Sequence, residues 1–286
     1  MKDNRPKTLF YDIETMPLVA TTFRLGEQHI RHDSLVDAKH FTEQDLEDLK
    51  NVGHDRTAID SLIYRIENRT QPNQPNIICI TYCWEKGPAK ALVFDYATHN
   101  CGEIIKEFDR IADEADVIIG KNSDKFDRRH INTQRLLTQT YGNPAWMDCS
   151  DDLEKQMRKH FMLPSYSLDY FSKLLGFGGK TKMSFSDWYD ILYQTKNGQK
   201  ALDKMVKYGK KDVEDTRAIW QYCEKHFTPR YNVAAMKDDH VCTTCGSEDI
   251  FKNGTRSVGK VLKQRWYCNA HGGHAGYTTG DKGKIK

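Results

Sequence analysis

The stretch TLFYDIETMP, residues 8–17, sets four residues suited to a buried strand, Leu9, Phe10, Tyr11 and Ile13, around two acids, Asp12 and Glu14. Side chains alternate along a strand, so the two carboxylates point to the same face. No basic residue stands in the apolar run to neutralise them. Two unneutralised carboxylates on one buried face repel, and a bound cation is the usual remedy. Carboxylate oxygens are hard ligands that favour Mg²⁺ or Mn²⁺. A structural acid pair is the other reading, and this stretch alone leaves both open.

Pro17 ends the strand. Residues 18–75 are polar and charged, with helix-like stretches such as TEQDLEDLKNV and TAIDSLIYRIENR; in the second, Ile59, Leu62, Ile63 and Ile66 form an amphipathic stripe. The region reads as an insertion closed by QPNQPN at 71–76. Two strands follow, at 76–84 and 90–96, with a turn around Gly87-Pro88. Helices are expected at 101–115, 127–141, 167–177 and 199–227, and a short buried strand at 116–122. Strands first, then helices with one more strand among them, suggest an α/β core with helices on the sheet faces.

Two further signals join the first. In GKNSDKFD, residues 120–127, an apolar strand ends at Gly120, Asn122 opens a turn, and Phe126-Asp127 starts a helix. Asp127 there is either a helix N-cap or a functional acid. In KYGKKDVED, Tyr208 and Asp212 stand four apart on one helix face, a spacing that charged helices also contain by chance. Together, Asp-x-Glu, Asn-x-x-x-Phe-Asp and Tyr-x-x-x-Asp resemble the DEDD family of 3′–5′ exonucleases. LFYDIET, IIGKNSDKFDRRHINTQ and SYSLDYFSKLLGFGGK look closest to stand-alone relatives of the proofreading exonuclease domain of B-family DNA polymerases. The resemblance covers residues 7–227 and implies an RNase H-like mixed sheet flanked by helices. A histidine-type member would have its His five residues before Asp212, where Lys207 stands; Tyr208 makes this the tyrosine type.

What the resemblance implies for chemistry is a pair of Mg²⁺ or Mn²⁺ ions, about 3.5–4 Å apart, clamping the attacking and leaving oxygens of a phosphodiester. Asp12 would bridge both ions, Glu14 and Asp212 would hold the one that activates water, and Asp127 the other. Tyr208 would position that water, since a phenol with a reference pKa of about 10 is a poor base at neutral pH. Asn122 and Phe126 would shape the turn and contact substrate.

After Pro229 the composition changes. The expected boundary separates residues 1–230, with their 18–75 insertion, from a small domain at 237–286. CTTCG (242–246) and CNAHGGH (268–274) have zinc-ribbon spacing. Cys242, Cys245 and Cys268 supply three ligands to one structural Zn²⁺, and the fourth is His271 or His274. His271 is favoured because Gly272 follows it as Gly246 follows Cys245, and glycine suits a tight knuckle turn. The segment between the knuckles reads as a hairpin. Its Lys252, Arg256, Lys260, Lys263 and Arg265 interleave with Phe251, Trp266 and Tyr267. Such mixtures contact phosphates and stack on bases. Lys252, Arg256, Arg265 and Trp266 are therefore candidate substrate contacts. The tail GDKGKIK reads as basic and without structure.

The 286 residues carry a net charge of only +3, so a polyanionic partner has to be argued from local sites. No apolar run reaches the roughly 18 residues of a membrane span. MKDNRPK has no apolar stretch behind it to make a signal peptide. The other five of the eight cysteines are scattered, as free thiols would be. The expectation is a cytoplasmic protein, of a bacterium or a virus-infected host cell. It would degrade single-stranded or frayed 3′ ends, of DNA first, beside a separate DNA polymerase or other replication protein. An RNA exonuclease of the same chemistry and a zinc-ribbon adaptor that only binds nucleic acid are the alternatives.

Overall fold

The computed structural model describes residues 6–16, 76–140, 144–177, 183–228, 230–234, 240–258, 261–279 and 284–285. The insertion at 18–75, with its two expected helices, lies outside them. The chain divides into two compact units: residues 1–14, 77–181 and 206–286, and residues 15–76 and 182–205.

The central sheet has the order β3-β2-β1-β4-β5. It is built from β1 (Thr8–Thr15), β2 (Ile77–Trp84), β3 (Lys90–Val93), β4 (Val117–Gly120) and β5 (Ser150–Asp152). β1 runs parallel to β4 and β4 to β5, while β2 and β3 are antiparallel, so the sheet is mixed. Helices cover both faces, so the mixed sheet flanked by helices that the sequence led one to expect is present. Alternation along β1 sends Tyr11 to one side, where it meets Phe108 of α1 (Gly102–Ala112) and Trp146 at 5.3 and 5.8 Å between ring centroids. Phe10 faces the other side. It joins a buried cluster with Leu153 and Met157 of α3 (Leu153–His160), Leu168 and Phe171 of α4 (Leu168–Leu174), and Val213 and Trp220 of α6 (Gly198–Cys223). Asp12 and Glu14 follow Phe10 to that side.

Helix α2 (Asp127–Leu137) ends earlier than the expected 141, with Thr138 at its C-cap. α6 gives way to a 3₁₀ turn, Glu224–His226, before the expected end at 227. β5, α3 and α5 (Phe185–Leu192) are additions to the sequence reading. β5 hides from pattern analysis because its three residues, Ser150, Asp151 and Asp152, are polar yet buried. Asp151 is satisfied by Gln156 Nε2 and by the N–H groups of Asp152 and Arg230.

The C-terminal strands β6 (Ile250–Val258), β7 (Val261–Cys268), β8 (Gly273–Thr279) and β9 (Lys284–Ile285) form a second, antiparallel sheet. β9 corrects the expectation of a structureless tail, because Ile285 and Lys284 pair with Thr278 and Thr279. This sheet falls in the same compact unit as the central one: Val233 N–H, beyond α6, donates to Thr243 C=O at 2.8 Å, while Thr243 N–H donates within the C-terminal segment to Ala275 C=O at 3.0 Å. Among the described residues, no helix is long and apolar enough to cross a membrane.

Candidate active site

Three acids from two distant parts of the sequence meet. One carboxylate oxygen from each of Asp12, Glu14 and Asp212 lies within 4.8 Å of the other two. Octahedral Mg²⁺ at about 2.0–2.1 Å from each oxygen spaces its ligands about 3–4 Å apart, so small side-chain rotations close the set around one cation. Asp212 is buried, while Asp12 and Glu14 are half-buried at the open end of the strand.

The convergence depends on a close approach of α6 to the sheet. Gly209 sits between Tyr208 and Asp212, and a Cβ there would lie 2.8 Å from Thr81 Cγ2. The Thr81 hydroxyl donates to Gly209 C=O at 3.1 Å and lies 3.3 Å from Asp12 C=O. A β2 threonine thereby ties the helix carrying Tyr208 and Asp212 to the strand carrying Asp12. Tyr208 is half-buried, one turn before Asp212 on the same face.

Asp127 stands outside the three-acid group but adjoins it. The cap position of α2 is Phe126, not Asp127, which excludes the N-cap reading. Instead, Asp127 Oδ1 accepts the N–H of Ile13, the residue between Asp12 and Glu14, at 3.1 Å. Burial pushes its carboxyl up to about 7, against the lowering effect of its own N–H and that of Ile13. A cation beside it would favour the ionised form.

The loop before α2 is held by a residue that sequence reasoning missed. Asp152 accepts the N–H groups of Asn122 and Asp124 at 3.0 and 3.2 Å, and caps α3 through the N–H of Glu154 at 2.9 Å. The signal that could have found it is the acid-rich Asp152-Leu153-Glu154 helix start. Asn122 takes the left-handed conformation, φ 60°, that this turn demands. Phe126 is 40% exposed and rests on His130, with ring centroids 4.4 Å apart.

The zinc-type cluster comprises Cys242, Cys245, Cys268 and His271. Sγ of Cys245 is 3.6 Å from Sγ of Cys268, and His271 Nδ1 is 3.5 and 3.4 Å from Sγ of Cys242 and Cys245. A tetrahedral Zn²⁺ with S at about 2.3 Å and N at about 2.0–2.1 Å has edges of about 3.6–3.8 Å, so the set fits that ion closely. The two knuckles repeat one another: Gly246 N–H donates to Cys242 C=O and Gly272 N–H to Cys268 C=O, each at 3.0 Å, with φ of +70° and +68°. Hydrogen bonds from Cys245 and then His271 hold the Cys242 thiol well below the usual thiol range, against its burial. His274, the alternative ligand, points elsewhere. It lies across from Tyr267 on β7, beside Tyr277.

The four candidate contacts of the hairpin are divided between its faces. Directly opposite residues share a face, so Lys252 pairs with Trp266 on one side, and Arg256 with Lys263 on the other. Trp266 packs against the ligand cluster, and Lys252 lies over its ring at 5.9 Å.

Among solved structures, a family B DNA polymerase from the hyperthermophilic archaeon Pyrobaculum calidifontis is similar to this chain, with a TM-score of 0.44 and 11% identity. The match covers 77% of this chain and 25% of the polymerase, so the chain spans about a quarter of that protein's length. No family model matches the sequence, and no curated protein matches it.

Proposed function

We propose that the chain is a metal-dependent 3′–5′ exonuclease of the tyrosine type, acting on single-stranded or frayed ends, DNA first. The observation that carries this reading is the meeting of Asp12, Glu14 and Asp212, with Asp127 bonded to the backbone between the first two. Asp12, Glu14 and Asp212 would hold and orient divalent cations, whose chemistry there would be to activate a water at neutral pH and to neutralise charge on the attacking and leaving oxygens. Asp127, fixed by Ile13 N–H, supplies the fourth carboxylate at the edge of the group. Tyr208, one turn before Asp212 on the same face, would orient the attacking water through its phenolic oxygen. Phe126, exposed beside Asp127, offers its ring to a terminal base, and Asn122 shapes the turn that presents it. The 3′ polarity and a separate polymerase as partner rest on the motif resemblance alone.

The test uses matched single-stranded DNA and RNA oligonucleotides labelled at the 5′ end, with Mg²⁺, Mn²⁺ or EDTA, and wild type against Asp12→Ala. A metal-dependent ladder shortening from the 3′ end and abolished by Asp12→Ala is expected, faster on DNA. Full activity in a clean preparation of the variant would sink the assignment. Faster RNA cleavage would make it an RNA exonuclease, and binding without cleavage an adaptor.

A further inference from the structure

The outer face of the C-terminal sheet has a composition that zinc binding does not require. Strands β6, β7 and β8 together contain no acidic residue and four cations, Lys252, Arg256, Lys263 and Arg265. Pairing places three of these cations on the face turned away from the ligand cluster. From the tip inward, that face reads Val258 opposite Val261, Arg256 opposite Lys263, Arg265 opposite Tyr277, and then Tyr267 between Phe251 and His274. Bulges in β6 and β8 preserve this facing, each inserting one residue so that the partners of β7 stay in step. The opposite face carries Ile250, Cys268 and Trp266, packed on or forming the ligand core.

The aromatic end of the face is open. Phe251 is 45% exposed, with its ring 5.3 Å from that of Tyr267, and His274 lies 4.5 Å from Tyr277. Arg265 Nε donates to Asn253 C=O at 2.8 Å, which anchors the bulge and fixes the guanidinium on this face. From Val261 to Tyr267 the strand runs about 20 Å, the length of roughly six stacked nucleotides at 3.4 Å each. Cations attract phosphates, and π-faces stack on any base without reading its sequence.

We propose that this face is a binding track for a single strand of nucleic acid, separate from the acid cluster, with Phe251 and Tyr267 as the stacking end and Arg256, Lys263 and Arg265 as the phosphate contacts. The track gives the small domain a task in the proposed nuclease: holding the strand whose end is being degraded. It deepens that reading, yet its binding chemistry stands on residues the acids do not include.

The experiment measures binding in an Asp12→Ala background, which removes degradation, using 20-nucleotide oligo-dT and oligo-U labelled with a fluorophore and fluorescence anisotropy over a series of salt concentrations. The variants are Arg256→Glu/Lys263→Glu, Phe251→Ala, and Lys159→Glu/Lys225→Glu, which makes the same change in charge on exposed residues outside the sheet. Zinc content and circular dichroism verify that each is folded, and Arg256→Ala/Lys263→Ala replaces the reversal if it is not. The sheet reversal is expected to weaken binding at least tenfold and to reduce the salt slope by roughly 1.4, two phosphates at about 0.7 each. Phe251→Ala is expected to cost at least about fivefold with little change in slope. An unchanged affinity, or an equal loss in the Lys159/Lys225 control, would overturn the track. Comparing dT with U shows whether the strand is DNA or RNA. Cleavage by the wild-type chain is scored separately: loss of the track with cleavage intact leaves the exonuclease standing, and the reverse leaves the track standing without it.

Discussion

Asp124 is a single carboxylate with three cationic donors. Its side chain is 9% exposed, and it accepts from Arg128 at 2.9 Å, Lys155 at 2.6 Å and Arg230 at 2.5 Å. The residue thereby joins the loop after β4 to α2, α3 and the segment after α6. Burial raises its pKa, but the bonds from Lys155, Arg230 and Arg128 outweigh that and bring it to about 2. A carboxyl whose folded value lies below its unfolded one stabilises the fold above the unfolded value of about 3.9, and the contribution fades as pH falls toward 2. Discounted for the part-exposed Lys155 and Arg230, it amounts to on the order of 1–2 kcal/mol. Asp124→Asn should therefore lower the urea midpoint clearly at pH 7, and the gap to wild type should narrow as pH falls from 4 to 2.5. A gap that stays constant over that range would show that the three cations do not act through charge.

The element that sets the geometry of the acids is α6, and its position rests on Gly209. Any side chain there must displace Thr81 or the helix. Gly209→Ala is expected to lower kcat roughly tenfold, since small misplacements of reacting groups are costly, while zinc content stays at the wild-type value. An unchanged kcat would mean the helix has room to settle. Elements also explain which features could be read in advance. The acid pair was legible because β1 obeys a period of two in an apolar run, and Tyr208 and Asp212 because a helix brings residues four apart together. The knuckles were legible from spacing, and it is His271 that the structure brings within reach of the three cysteines, in a set that could hold a metal ion. β5 was not legible, since three polar residues become a strand only through partners such as Gln156 and the Arg230 N–H. Asp152 was missed with it. The division of Lys252 from Arg256 escaped because a bulge in β6 lies between them, and bulges leave little mark in sequence.

At the scale of the whole molecule, the C-terminal segment and the central sheet belong to one compact unit. A cavity of about 320 Å³ is lined by Thr8 and Phe10 of β1, Trp220 of α6, and Cys245 and His271 of the knuckles, so the ligand cluster closes over the body's own core. Wild type should carry about one zinc per chain; Cys242→Ser and His271→Ala should lose it, and His274→Ala should keep it. Loss of the metal should lower the melting temperature of the entire unit by several degrees, because the Val233–Thr243 bond and the wall over Trp220 go with it. Calorimetry paired with elemental analysis checks this, and an unaltered main transition in zinc-free protein would count against the coupling. The stitch at Val233 also bears on how the chain is made. Synthesis proceeds from the N-terminus, and structure forms as the chain emerges. The sheet and the acid-bearing α6 precede Cys242 to His271 in the chain, and Trp220 can already pack with Phe10, Val213 and Phe227, so the last ligand and the metal complete only the far wall of the cavity beside it.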